Sequence, residues 1–169
     1  MSDSSPVTPV QRDLTARSPG QSEVIMTQLV LPQHTNALGT AFGGQVLSWV
    51  DIAAGVCAGR HARAVCVTAS FDEVHFKLPI HHGDVVNIQA IVTWTGRSSM
   101  EIRVRVDREQ IDGRRQRALE AFATFVCVDA NGKPQPIPAL ELLTDSHRTC
   151  HAQAEERRAR RLQNRAAKR

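Results

Sequence analysis

NALGTAFGGQVLSWVDIAAGVCAGR, residues 36–60, decides how the rest of the chain must fold. The Gly43-Gly44 pair opens a run whose spacing predicts one helix ending near Arg60. Between Gly44 and Gly59 the single charged side chain is Asp51. Val46, Leu47, Trp49, Val50, Ile52, Ala53, Ala54, Val56 and Cys57 surround it and cover nearly every direction on a helical wheel. A helix that is apolar all round is a buried helix. An ionised carboxylate is costly there unless it is paired or hydrogen-bonded, and Asp is a mediocre helix former. Two readings of Asp51 stand side by side. One is a structural hydrogen bond or buried ion pair. The other is a carboxylate held in a dry cleft for acid–base or nucleophilic work.

The flanking segments read as strands. Residues 22–31 form a first strand that Pro32 stops. A loop over 33–43, with Gly39 and Gly43-Gly44, delivers the chain to the helix. Residues 64–76 are β-branched and aromatic enough for a strand. In 84–95 the alternation puts Val86, Ile88, Ala90, Val92 and Trp94 on one face. In 98–109 it sets Met100, Ile102, Val104 and Val106 against Glu101, Arg103, Arg105 and Asp107, the pattern of a half-buried antiparallel strand. Asp112-Gly113 marks a hairpin, and 117–128 is apolar on both faces in its second half, as befits a strand near the sheet centre. The order is strand, helix, then four strands joined by short turns. One sheet covers one side of the helix. The other side calls for the sheet edge curling round or for a second subunit, so the pattern predicts an α+β antiparallel sheet wrapped around a central helix, and a dimer.

A chain of 169 residues suffices for one domain with a sizeable core. Residues 1–20 are Ser-, Pro- and Thr-rich and are expected to be disordered or a loose arm. They lack the apolar core of a signal peptide, no run reaches the length of a membrane span, and a cytoplasmic location is the default expectation. The net charge of +4 is unevenly spread: residues 155–169 alone carry +5, leaving the remainder at −1. The basic character belongs to residues 141–169, an Arg-rich helix or tail, expected to be solvated. No aromatic residue lies among Arg157, Arg158, Arg160, Arg161 and Arg165 for base stacking, so nucleic acid is not the expected partner. The four cysteines form no CxxC pair. Cys57, Cys66 and Cys127 sit in apolar segments and read as small buried hydrophobes.

At this point the chain resembles the hotdog-fold acyl-CoA thioesterases, in particular the cytosolic acyl-CoA hydrolase group with the bacterial YciA-type enzymes. The resemblance rests on Asn36, Gly39, Phe42-Gly43-Gly44 and Asp51, then Arg60-His61, VTASFDEVHF at 67–76, Pro79 with Gly83-Asp84, and GRSSMEIRV at 96–104. It is collinear within residues 21–140 and excludes the N-terminal arm and the Arg-rich tail. It implies a five- to six-stranded antiparallel sheet around a long helix, a dimer with a continuous sheet, and often a hexamer built as a trimer of dimers. It implies hydrolysis of an acyl-CoA to fatty acid and CoA at a site drawing on both chains, with no metal and no redox cofactor.

Under that resemblance Asp51 is the general base on water or the nucleophile, and the residues do not separate the two. The backbone N–H groups around Gly43 and Gly44, at the positive end of the helix, form an expected oxyanion hole; the alternative is that the glycines only permit a tight turn. Asn36 is the partner polar group, expected across the interface; the alternative is a loop Asn supporting a turn. Gly96, Ser98 and Ser99 are expected to bond the pantetheine amides. Arg60, His61, Lys77 and Arg97 are expected phosphate contacts, each with a plain surface charge as the alternative. A hotdog dehydratase is disfavoured because no His lies between Asn36 and Arg60. The reading from a different class is a non-catalytic acyl-CoA-binding hotdog protein, against which Asp51 argues.

Overall fold

The computed structural model describes residues 12–166; residues 1–11, more than half of the expected N-terminal arm, and the last three of the basic tail lie outside them. The chain runs β1 (Val24–Leu29), α1 (Gly43–Ala62), β2 (Cys66–Phe76), β3 (Val85–Thr95), β4 (Ser99–Glu109), β5 (Arg115–Cys127) and α2 (Asp145–Ala166). The strands form one sheet in the order β1-β3-β4-β5-β2, every pair antiparallel.

The α1 helix lies across this sheet and touches all five strands. Val86, Ile88, Ala90 and Val92 of β3 face it, with Met100, Ile102, Val104 and Val106 of β4 and Ala121, Ala123 and Phe125 of β5, all buried. From the helix come Val46, Trp49, Val50, Ala53, Ala54 and Cys57. The alanines keep the helix backbone close to the sheet. Each large apolar side chain buried here stabilises by about 1.5–3 kcal/mol. Desolvation pushes the Cys57 thiol up to about 12, so it behaves as a buried hydrophobe.

One side of α1 stays uncovered by its own chain. Gly44, Ser48, Ile52 and Val56, four residues apart, form an exposed stripe, with Ile52 52% and Val56 43% exposed. Beside it β2 is an edge strand, and Val65 just before it and Val67 at its start are also exposed. Two bulges, at Ala69 and at Asp72-Glu73, interrupt its pairing with β5.

Trp94 departs from the simple alternation. Val92 pairs with Ile102 but Trp94 pairs with Glu101, so Thr93 is an inserted residue. The bulge turns Trp94 to the opposite face from Val92. There it meets α2, with the Arg158 guanidinium 5.0 Å from the indole ring.

The basic segment is not a solvated tail. Helix α2 packs on the sheet face away from α1, with Ala154 fully buried. Glu101, also without exposed surface, accepts hydrogen bonds from Arg157 (2.7 Å) and Arg161 (3.1 Å). Arg161 also pairs with Asp72, whose carboxyl burial pushes upward against the pull of that arginine. Arg157 lies 3.7 Å from the Phe122 ring centroid.

Residues 12–20 are likewise attached rather than loose. Arg17 is buried, bridges to Leu140 and donates to the His61 carbonyl. Arg12 donates to the carbonyls of Ala62 and Pro136 at 2.7 Å.

Candidate active site

The loop before α1 is held by its own polar groups. Asn36 Oδ1 accepts from the Leu38 N–H (2.9 Å), its amide donates to Thr40 Oγ1 (2.9 Å), and its N–H donates to the Thr40 carbonyl. Gly39 turns the chain at φ +72°. His34 packs edge-on against Trp49 at 5.1 Å, fixing the loop to the helix. The turn that needs a glycine is therefore at Gly39. Gly43 and Gly44 have no positive φ.

Within the chain neither glycine at the helix start is required for space: a Cβ on Gly43 would lie 3.4 Å from Phe76 Cζ, an ordinary contact. A Cβ on Gly44 meets nothing within 4 Å. Phe42 caps the helix without a side-chain hydrogen bond, and the N–H groups of Gly43, Gly44 and Gln45 have no acceptor among the described residues. Three donors thus converge at the positive end of α1. Beside them lies a cleft of about 330 Å³ lined by Gly43, Thr40, Phe76 and Lys77.

Asp51 lies eight residues further on, about 12 Å along the axis at 1.5 Å per residue. It is half-buried at the margin of the uncovered stripe. Thr68 of β2 donates to its Oδ1 at 2.7 Å. Sequence reasoning missed Thr68. Its one signal is its place in the VTASF run of the strand after the helix.

The hairpin over Gly96–Ser99 sits at the Asp51 end. Ser99 pairs with Val126, and Val126 pairs with Val67, the neighbour of Thr68. Gly96 is required there, because a Cβ would lie 2.5 Å from Cη2 of Trp94. The Ser98 and Arg97 carbonyls are taken by Cys127 and Ile137, while the Arg97 side chain is exposed.

The sequence-predicted residues therefore fall into two groups at opposite ends of the sheet. Asp51 and the hairpin occupy one end, beside Thr68. Gly43, Gly44, Asn36 and Lys77 occupy the other, where Phe76 pairs with Leu119. Seven residue steps along β5, from Leu119 to Val126, separate the ends, about 23 Å at strand rise.

Two expected phosphate contacts fare differently. Arg60 is exposed and donates to the Glu23 carbonyl at 2.8 Å. His61 is fully buried, so it has no face for an anion. Its Nε2 donates to the Pro138 carbonyl (3.1 Å) and its Nδ1 faces Ser22 Oγ (3.4 Å). Burial lowers its pKa, against the pull of Pro138. His61 is a structural residue joining α1 to the segment after β5.

An antiparallel sheet wrapped around one apolar helix that starts at paired glycines is a hotdog fold. The thioesterase superfamily model matches residues 38–113. The uncharacterized acyl-CoA thioester hydrolase YkhA of Bacillus subtilis (strain 168) is 41% identical over 151 residues, covering 86% of this chain and 88% of that protein. The chain belongs to the acyl-CoA thioester hydrolase family of this fold. It is 43% identical to acyl-coenzyme A thioesterase 11 of Mus musculus but spans 24% of that longer protein. Among solved structures, an apo-hexameric acyl-CoA thioesterase superposes with a TM-score of 0.86 at 42% identity, covering 92% of this chain and 99% of that one. An acyl-CoA hydrolase from Staphylococcus aureus, in complex with butyryl coenzyme A, coenzyme A and coenzyme A disulfide, superposes at 0.81 with 33% identity, covering 90% of this chain and 96% of that one. Further structures of the S. aureus enzyme carry an aspartate, an asparagine or a threonine replaced by alanine.

Proposed function

We propose that the protein hydrolyses acyl-CoA thioesters to a free acid and CoA, at a site completed by two copies of the chain. The observation that carries this is the separation of the two groups of site residues. Asp51 and its own Gly43 and Gly44 are two helical turns apart, too far to act on one carbonyl. A two-fold axis beside β2 would cover the stripe of Ile52 and Val56, extend the sheet edge to edge, and bring Asp51 of one copy towards the helix start of the other. The homodimer is the minimum unit in this reading, and a hexamer follows by likeness to the hexameric neighbour.

The spacing of residues supports the same assignment. In the S. aureus enzyme the substituted asparagine, aspartate and threonine follow one another at intervals of fifteen and seventeen positions. Asn36, Asp51 and Thr68 repeat both intervals.

In this mechanism Asp51 takes a proton from water as the water oxygen adds to the thioester carbonyl carbon, or it attacks that carbon itself to give a mixed anhydride that water then hydrolyses to the free acid and the regenerated carboxylate. Thr68 fixes the carboxylate through Oδ1. The N–H groups of Gly43 and Gly44 receive the developing oxyanion. Asn36 keeps one amide hydrogen beyond its bond to Thr40 to orient the carbonyl or the water. Collapse breaks the C–S bond, and the CoA sulfur leaves and takes up a proton. No step calls for a metal or redox cofactor. The hairpin groups at Gly96, Ser98 and Ser99 suit the pantetheine amides. Arg97, Lys77 and Arg60 remain available for the phosphates. No helix among the described residues is long and apolar enough to cross a membrane, and a cytoplasmic location is part of this proposal.

The test is free-thiol release from acyl-CoAs of short to long chain, with wild type and Asp51→Asn side by side. Release by wild type with a loss of about a hundredfold or more in the variant is the expected result. Binding of acyl-CoA without release by the folded wild type would move the protein to the non-catalytic acyl-CoA-binding class.

A further inference from the structure

Beneath α2, on the sheet face away from α1, three hollows follow one another from Lys77 to Ser99. The widest, about 350 Å³, is lined among others by Lys77, Glu120, Phe122, Glu156 and Arg160. The next, about 180 Å³, shares Asp72, Arg157 and Arg160 with it. The last, about 210 Å³, shares Arg161 with the middle one and adds Ser70, Ser99, Thr124, Trp94 and Arg158.

The last hollow combines two features. Ser70 and Thr124 stand opposite each other in the β2–β5 register, and both hydroxyl oxygens are buried with no hydrogen-bond partner among the described residues. Buried hydroxyls are ordinarily paired. The charges along the groove are also unbalanced. Arg157 and Arg161 are neutralised by Glu101 and Asp72. Lys77, Arg158 and Arg160 form no ion pair among the described residues; of the two further carboxylates at the widest hollow, Glu120 is held by Arg105, and Glu156 offsets only one of the three. Hydroxyl donors beside an uncompensated guanidinium match a group that accepts on several oxygens and carries negative charge.

We propose that the groove beneath α2 binds a phosphate-bearing ligand, with the phosphate held by Arg158 and the hydroxyls of Ser70 and Thr124. The phosphate has two sources. Because the groove meets the hairpin at Ser99, it can receive the nucleotide end of an acyl-CoA whose pantetheine lies on Gly96–Ser99, and that version rests on the acyl-CoA reading above. A free nucleotide carries the same group and needs no such reading.

The full-length protein is titrated calorimetrically with ADP, CoA and inorganic phosphate, as wild type and as Arg158→Gln and Thr124→Val. Circular dichroism and gel filtration confirm that each variant is folded and assembled. Wild type is expected to bind ADP or CoA, and each variant to weaken that binding about tenfold. A matching rise in KM for acyl-CoA at unchanged kcat, with ADP competing against substrate, assigns the groove to the nucleotide of CoA. Unchanged KM, with ADP binding that persists at saturating CoA and is lost in the variants, assigns it to a free nucleotide. Both results support the site. Equal binding of all three probes by wild type and both variants, with KM unchanged, overturns it. Failure of the thioesterase reading is seen separately, as absence of thiol release from a wild type that still binds ADP.

Discussion

Thr68 Oγ1 donates a 2.7 Å hydrogen bond to Asp51 Oδ1, tying the edge strand to the one carboxylate of the central helix. A hydrogen bond to a charged group contributes about 1.5–3 kcal/mol. Thr68→Val is therefore expected to lower kcat about tenfold or more, with the fold retained. Thr68→Ser keeps the hydroxyl and is expected to restore most of the rate. Equal loss in both variants would show that packing by the threonine methyl matters instead, and the assay is thiol release under saturating substrate.

Gly44 and Gly96 are opposite cases. Gly44→Ala adds a methyl into open space within the chain. Chemical denaturation is expected to show a stability within about 1 kcal/mol of wild type, since alanine is the better helix residue. Its rate is expected to fall about tenfold or more, because the methyl blocks approach to the N–H donors. Gly96→Ala forces a methyl to within 2.5 Å of the Trp94 ring. That substitution is expected to destabilise by about 1–3 kcal/mol. An active Gly44→Ala would remove the oxyanion role from this helix start.

Mixing two inactive variants tests the shared site. In a dimer of one Asp51→Asn chain and one Asn36→Ala chain, one site carries both lesions and the other carries neither. Random mixing is expected to recover about a quarter of wild-type activity. No recovery in mixed dimers confirmed by mass spectrometry would place both residues of a site on one chain.

His61 gives the fold a pH dependence of definite sign. Burial holds its pKa below the ordinary 6.5. The unfolded chain therefore takes up a proton at higher pH than the folded one, and stability falls as pH drops through about 6.5 until the folded histidine itself protonates. Urea midpoints are expected to decline between about pH 7.5 and 5.5, less steeply in His61→Gln. The same slope in both proteins would assign the decline to other groups.

The helix and all five strands were legible because apolar periodicity reports burial directly. Alternation in Val85–Thr95 and Ser99–Glu109 named the core-facing residues of β3 and β4 as far as Val92. Trp94 fell on the wrong face because a single inserted residue, Thr93, leaves no mark in an alternating pattern. Arg157 and Arg161 read as solvated because polarity alone does not reveal a carboxylate such as Glu101 on the facing strand. His61 read as a surface base because its partners, Ser22 and Pro138, come from segments 39 and 77 residues away. Asp51 stood out as a charge in an apolar helix. Thr68 did not, since a threonine in a strand is unremarked until the fold sets it against Asp51.

The separation of the two residue groups along the sheet also bears on how such chains can diverge. Two copies fused in tandem would hold two pairs of ends. Under the two-copy site proposed above, one copy could then shed its aspartate and the other its glycine pair, and one complete site would survive. Substitutions at Asp51 and at Gly43 or Gly44 should therefore accumulate in different halves of any fused descendant, whereas a chain acting as identical copies must keep both ends intact.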